Sequence, residues 1–168
     1  VTDAASVEIM LTAAVSRFSL VVIWINTAGT NTNPLPLWEV GSYEFRQTFD
    51  TNLLGTLYGM QVAALGMTAQ GGGQIFNVEG MGSKGEVQVG LLPYACTKAP
   101  VCYLDKAFLQ ELSGTSVQVG SIRPAINVTE HLMHGIHHLS PARLAAVKQY
   151  FHPLGATRET APPSLGDP

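Results

Sequence analysis

Three short apolar segments, each set between longer amphipathic ones, constrain the fold of this chain most. They are LVVIWIN (20–26), QIFNVEG (74–80) and SVQVGSIRP (116–124). A continuous β-branched run such as the first is typical of a strand buried on both faces of a parallel sheet. The surrounding segments repeat apolar residues at helical spacing over 2–18, 42–69, 93–113 and, in a His-rich stretch, 129–151. This alternation predicts an α/β fold with right-handed crossovers on a parallel sheet.

Capping residues and helix breakers predict where these helices begin and end. Thr2-Asp3 and Ser42 supply the side chains that cap helix N-termini, and the glycines at 71–73 end the second helix. Pro100 lies inside the third helix, where it removes a backbone donor and clashes with the preceding turn. We therefore expect a kink there, which would move Lys98 relative to Tyr94.

Composition favours one compact domain and argues against several classes of partner. Of the 168 residues 46% are hydrophobic and 12% charged, with a formal net charge of −3 and no Lys/Arg cluster, so we expect no nucleic acid partner. No apolar run is long enough for a membrane span, and no secretory signal opens the chain. We expect a folded domain over 1–152 and a disordered tail over 153–168, which has few large apolar side chains.

The two cysteines and the histidine row do not predict a metal site. Cys96 and Cys102 lie six residues apart in one helix and point to different faces, which argues against a disulfide or a metal pair and favours a reducing compartment. The row of His131, His134 and His138 lacks an obvious further ligand, and solvent-facing histidines explain it. We predict no bound metal.

Small and polar residues follow each predicted strand. The stretches are NTAG (26–29), NVEGMGS (77–83) and RPAINVT (123–129). Because the carboxyl ends of parallel strands meet at one edge of a sheet, and ligands bind beyond that edge, these stretches belong on the ligand side. Tyr94 and Lys98 are four residues apart in the following helix, so they share one helical face.

Four motifs in this order resemble those of the short-chain dehydrogenase/reductase family, over Val1 to about Leu132. They are Asn26-Thr27-Ala28-Gly29, Asn52 in FDTNLLG, the Tyr94/Lys98 pair, and Pro124 through Thr129. The stretches TAGTN, IFNVEGMGSKG and VTEHL look most like the chlorophyll b reductase branch, in which an acidic residue and a glycine replace a serine pair. The resemblance implies a Rossmann-like parallel sheet with flanking helices.

The resemblance also implies a reaction and its residues. A nicotinamide cofactor, NADPH or NADH, would exchange hydride with a small-molecule carbonyl substrate, which could be the formyl group of chlorophyll b. Tyr94 would be the acid, Lys98 its modulator and a ribose ligand, Asn52 part of a proton relay, and Ser83 the donor to the carbonyl oxygen. The implied cofactor-binding residues are Asn26, Ala28, Gly29, Lys98, Pro124 and Thr129.

Charge supports the pairing of Tyr94 with Lys98. A free phenol titrates near pH ~10, which is too high for efficient proton exchange at neutrality. An ammonium one turn away favours the phenolate, so we expect a lowered pKa for Tyr94.

The glycine-rich phosphate loop of the family does not precede these motifs. We therefore expect a sheet that lacks the first βαβαβ segment, with an open apolar edge at 20–26, which is prone to pair with another chain. The chain is then either a fragment or a protein whose partner covers that edge. The alternative to an enzyme is a catalytically inactive, truncated relative that acts as a protein-binding or regulatory module.

Partners and compartment follow from the resemblance alone. Family members commonly dimerise through two long helices, here 42–69 and 93–113, which implies a homo-oligomer. The compartment would be a plastid if the source is a photosynthetic eukaryote, and the cytoplasm otherwise.

Overall fold

The computed structural model describes residues 1–124, which form five α-helices and three β-strands. The helices are α1 (Ala4–Phe18), α2 (Ser42–Phe49), α3 (Gly55–Gln70), α4 (Leu92–Lys98) and α5 (Val101–Glu111). The strands are β1 (Ile23–Asn26), β2 (Gly73–Val78) and β3 (Val117–Ile122). Thr129, the predicted helix over 129–151 and the predicted tail lie outside the described residues.

The three strands form one parallel sheet in the order β1-β2-β3. The register pairs Ile25 of β1 with Phe76 of β2, and Phe76 with Gly120 of β3. Since α3 follows β1 and α5 follows β2, the two crossovers have the predicted α/β form. The predicted parallel Rossmann-like arrangement is confirmed, and the carboxyl ends of all three strands meet at one edge.

The core lies between the sheet and α3. Met60, Ala63 and Met67 of α3 pack against Ile75 of β2 and Val117 of β3, and each of these side chains is at most 2% exposed. Helices α1 and α5 add Val7, Leu11, Leu104 and Phe108 around this cluster. Apolar burial of this kind is the main favourable term in folding.

Strand β1 lies at an edge of the sheet and is buried on one face only. Trp24 is 8% exposed, whereas Ile23 and Ile25 are 52% and 47% exposed. The prediction of a strand buried on both faces is therefore wrong for β1, because among the described residues its helical cover lies on the face of Trp24. The expected apolar edge strand is found.

Two of the three predicted helix boundaries are confirmed. Asp3 caps α1 by accepting hydrogen bonds from the Ser6 backbone N–H (3.0 Å) and hydroxyl (2.8 Å). Gly71 ends α3 with a left-handed φ of 98°, which a glycine adopts without steric cost. The prediction for Ser42 is wrong, since Gly41 is the capping residue and Ser42 is the first residue inside α2.

Both long helices are interrupted near residues of interest. A π-helical turn (Asp50–Leu54) joins α2 to α3 and contains Asn52. Ala99 and Pro100 separate α4 from α5, as expected from the missing proline donor. The break follows Lys98, so Tyr94 and Lys98 remain together in α4. No helix among residues 1–124 is long and apolar enough to cross a membrane.

Gly59 of α3 makes close contact with polar side chains of β1. A Cβ at this position would meet the Asn26 side-chain oxygen, and would lie 3.1 Å from Trp24 Nε1. Asn26 cannot easily move, because it accepts a hydrogen bond from Trp24 Nε1 (2.8 Å) and donates one to Asn77 Oδ1 (2.7 Å).

We expect Gly59→Ala to lower the free energy of unfolding by about 1–3 kcal/mol, because the clash outweighs the helix-propensity gain of about 1 kcal/mol. Urea unfolding followed by tryptophan fluorescence measures the change. The wild type measured under the same conditions is the reference. A Gly59→Ala variant as stable as the wild type, or more stable, would contradict the packing.

Candidate active site

Tyr94 and Lys98 meet at Gly80, directly beyond the carboxyl end of β2. A Cβ at Gly80 would contact the Tyr94 hydroxyl, and would lie 3.1 Å from Lys98 Cγ. Proline at the first turn of α4 suits a helix start at this point. The structure therefore brings together the phenol and the amine that the sequence pairs, and the missing side chain of Gly80 leaves space for both.

Lys98 is a buried lysine whose ammonium contacts the strand backbone. Its side chain is 5% exposed, and Nζ donates a hydrogen bond to the Val78 carbonyl oxygen at 2.9 Å. Burial lowers the pKa of Lys98, because a desolvated ammonium loses favourable hydration. The Val78 carbonyl thus accepts from one of the three N–H donors of the Lys98 ammonium.

Burial also determines the proton affinity of Tyr94. It raises the pKa of Tyr94 above the ordinary value of 10.0, since desolvation disfavours the phenolate. The expected lowering by Lys98 is thus wrong for the protein without a ligand. The phenol remains protonated at neutral pH.

Ser83 belongs to a tight turn that begins at Gly80. Its hydroxyl accepts a hydrogen bond from the Gly80 N–H at 3.0 Å, and its own N–H donates to the Gly80 carbonyl at 3.1 Å. Gly82 has a φ of 99° and packs on Ala95, so that a Cβ would lie 2.8 Å from the Ala95 carbonyl oxygen. The turn therefore holds Ser83 beside Gly80 and against the first turn of α4.

Asn52 is fully buried and connects the loop after β1 to α4. Its Oδ1 accepts from the Thr30 N–H (2.7 Å), and its Nδ2 donates to the Thr30 carbonyl (2.8 Å) and to Thr97 Oγ1 (3.0 Å). Thr97 lies between Tyr94 and Lys98 in α4 and donates to the Tyr94 carbonyl at 2.7 Å. Gly29 packs on the Asn52 side chain, with 3.5 Å between its Cβ position and Oδ1.

The remaining predicted residues lie in different surroundings. Asn26 is held beneath the site by Trp24 and Asn77, as described above. Together with Ala28 it lines a cavity of about 180 Å³. Pro124 is exposed and follows β3. Asn52, Ser83, Tyr94, Lys98 and Gly29 thus lie beyond the carboxyl edge of the sheet, whereas Asn26 is the last residue of β1 and belongs to the sheet itself.

Comparison with known proteins identifies the lineage of this arrangement. The family model described as short chain dehydrogenase matches residues 1–138. This chain belongs to the short chain dehydrogenase family. It is 33% identical over 130 residues to the probable chlorophyll(ide) b reductase NYC1 of Arabidopsis thaliana. The aligned region covers 77% of this chain and 26% of that protein. The predicted resemblance to chlorophyll b reductases is confirmed.

Other members of the short chain dehydrogenase family extend the match. L-fucose dehydrogenase of Oryctolagus cuniculus is 32% identical over 164 residues, which is 96% of this chain and 56% of that protein. A gluconate 5-dehydrogenase from Burkholderia cenocepacia, solved with NADP and tartrate, has a TM-score of 0.71 at 25% identity and covers 77% of this chain and 50% of its own. This chain therefore spans about a quarter to just over half of these relatives.

A buried polar network lies beside the site and is not evident from the motifs. Asn77 Nδ2 donates to Asp105 Oδ1 at 2.5 Å, and Ser121 Oγ donates to Glu79 Oε1 at 2.8 Å. Asp105 and Glu79 are 7% and 6% exposed. Only 12% of the residues in the chain are charged, so a glutamate directly after an apolar strand is unusual. The position of Glu79 was the sequence signal from which this network could have been predicted.

Hydrogen bonds in this network stabilise the Asp105 carboxylate only in part. Burial, and to a lesser degree the charge of Glu79, raise the pKa of Asp105 above 3.8, although hydrogen bonds from Asn77 and Ser121 oppose the shift. The folded state then binds a proton more tightly than the unfolded state, so this carboxyl group destabilises the fold increasingly as pH rises above about 3.8.

We expect Asp105→Asn to become more stable than the wild type as pH rises from 4 to 8, since the amide keeps an acceptor for Asn77 and carries no charge. Urea unfolding of both proteins at each pH gives the difference in free energy. A constant difference, or one that changes in the opposite direction, would contradict the proposed shift.

Proposed function

We propose that this chain carries the catalytic side chains of a nicotinamide-dependent carbonyl reductase. The observation that carries the proposal is the meeting of Tyr94 and Lys98 at Gly80, with Ser83 in the turn that starts there. Membership of the short chain dehydrogenase family supports the general oxidoreductase assignment. Similarity to chlorophyll(ide) b reductases supports chlorophyll b, through its formyl group, as the substrate. The fold shared with a gluconate 5-dehydrogenase solved with NADP supports NADPH as the reductant.

The proposed roles of the side chains follow from their protonation states. Reduction of a carbonyl adds hydride to carbon and a proton to oxygen, and the nicotinamide supplies the hydride when bound. Tyr94 donates the proton: burial keeps the phenol protonated at neutral pH, and a positive charge on Lys98, on the same helical face, favours release of that proton during the reaction. Ser83 donates a hydrogen bond to the carbonyl oxygen. Asn52 fixes the loop after β1 and the turn of α4 through its three hydrogen bonds.

The donors present fit a nicotinamide ribose. An ammonium has three N–H donors, and the Val78 carbonyl takes one of those of Lys98. The other two suit ribose hydroxyls. Gly29 lies on Asn52, with 3.5 Å between its Cβ position and the Asn52 side-chain oxygen, so Asn52 also fixes the part of the loop after β1 that contains this glycine.

The compartment is part of the same proposal. The similar reductases of Arabidopsis thaliana are chloroplastic. We extend that location to this chain if its source is a photosynthetic eukaryote, and propose the cytoplasm otherwise.

We expect the chain to bind NADPH and to oxidise it in the presence of chlorophyll b or a soluble aromatic aldehyde. Tyr94→Phe should retain NADPH binding, measured by calorimetry, and lose about 10²–10⁴-fold in kcat, because the proton donor is removed. Tyr103→Phe is the matched control, since Tyr103 is 72% exposed on α5. Turnover by Tyr94→Phe equal to that of the control would contradict the role. Absence of NADPH binding would favour a non-catalytic module.

We also propose that a second copy of the chain binds at α3 and α5. An apolar groove of about 850 Å³ lies between these helices and is lined by Leu57, Leu65, Leu104 and Phe108, with Gln61 and Glu111 among its polar members. Leu65 is 69% exposed, which is costly for a large apolar side chain in a groove. The family resemblance implies dimerisation through the same helices.

We expect Leu65→Glu to convert a dimer to a monomer in light scattering coupled to gel filtration, because a carboxylate would be desolvated in the interface. Ile9→Glu on α1 is the control, with the same 69% exposure outside the groove. A wild-type monomer, or equal dimerisation of both variants, would contradict this interface.

A further inference from the structure

Three charged side chains connect the end of β3 to the turn that carries Ser83. Arg123 follows β3, and one of its guanidinium nitrogens contacts Glu86 Oε1 while the other lies 3.6 Å from Glu79 Oε2. Glu79 stands at the start of the turn and Glu86 at its far end. Arg123 therefore bridges both ends of residues 79–86.

Glu86 holds the backbone of the turn from inside. Its Oε2 accepts hydrogen bonds from the N–H groups of Gly82 (3.2 Å) and Lys84 (3.1 Å), the residues on either side of Ser83. The hydrogen bond from Arg123, followed by those from the backbone N–H groups of Glu86 itself and of Lys84, lowers the pKa of Glu86 to about 2, so it is a carboxylate across the physiological range. An ionised acceptor strengthens each of these hydrogen bonds.

Arg123, Glu79 and Glu86 together form a clamp, which Glu79 anchors in the protein interior. It is 6% exposed, and its Oε1 accepts from Ser121 Oγ (2.8 Å) on β3 and from Cys102 Sγ (3.4 Å) on α5. Within residues 1–124 its Oε2 has no hydrogen-bond partner, and it faces Arg123. A buried carboxylate oxygen in this position needs a cation nearby, which Arg123 supplies.

We propose that Arg123 is a positioning residue, which acts through Glu79 and Glu86 to hold Ser83 against the first turn of α4. The catalytic meaning of this clamp rests on the proposed function. The existence of the clamp does not depend on that function, because Gly82 packs the turn on α4 through contacts within the protein. If Arg123 is lost, the Glu86 carboxylate loses its one ion pair within the part of the chain that the structure describes, and the turn can leave α4.

Hydrogen exchange in the 168-residue chain tests the clamp without any assay of turnover. In Arg123→Gln and in Glu86→Gln we expect the amides of Gly82 and Lys84 to exchange at least about tenfold faster at neutral pH, because local opening becomes easier. Arg123→Lys, which keeps the cation, should restore much of the protection. Lys84→Gln removes a cation from the same turn without breaking a described ion pair, and it should exchange like the wild type.

The outcomes separate this inference from the proposed function. Unchanged protection of Gly82 and Lys84 in Arg123→Gln and Glu86→Gln would overturn the clamp, whether or not the chain is active. If NADPH-dependent reduction is measured, Glu86→Gln should lower kcat and leave the KM for NADPH unchanged, since only the carbonyl donor is displaced. An unchanged kcat with lost protection would overturn the positioning role. An inactive chain with lost protection would count against the proposed function alone.

Discussion

The absence of a side chain at Gly80 is the constraint on which the candidate site depends. The Tyr94 hydroxyl and the Lys98 stem occupy the space that a Cβ would fill at this residue. Because Gly80 lies two residues after the end of β2, this contact sets the distance between the sheet edge and α4. Ser83 hydrogen-bonds to the same glycine, so three of the four predicted catalytic side chains depend on one small residue.

Buried polar side chains connect the strands and helices around that contact. A directed series of hydrogen bonds runs from Trp24 through Asn26 and Asn77 to Asp105, and so joins β1, β2 and α5 beneath the site. Asn52 makes a second connection, between the loop after β1 and α4. Buried networks of this kind are costly when one partner is lost, since each remaining group is left desolvated without a hydrogen bond. The arrangement is therefore both precise and sensitive to substitution.

Much of the fold was predictable, because local patterns report local structure. The apolar runs gave all three strands, and Asp3 and Gly71 marked helix ends through chemistry that acts within four residues. The meeting of Tyr94 with Lys98 follows from their spacing on one helix. What failed depended on distant residues: the exposure of Ile23 and Ile25 reflects which face of the sheet is covered, and the raised pKa of Tyr94 reflects burial. The ion pairs of Arg123 join residues 37 and 44 positions apart, which no local pattern could indicate.

The packing of the Tyr94 phenol on Gly80 is tested most directly by titrating that phenol. Carbon-13 NMR of labelled tyrosine, with Tyr94→Phe to assign the signal, reports the pKa in the chain without a ligand. The account predicts a pKa above 10.0 in the wild type, because burial disfavours the phenolate, and a fall toward that value in Gly80→Ala, where the methyl group displaces the ring toward solvent. A wild-type pKa below 10.0, or one that Gly80→Ala leaves unchanged, would contradict it.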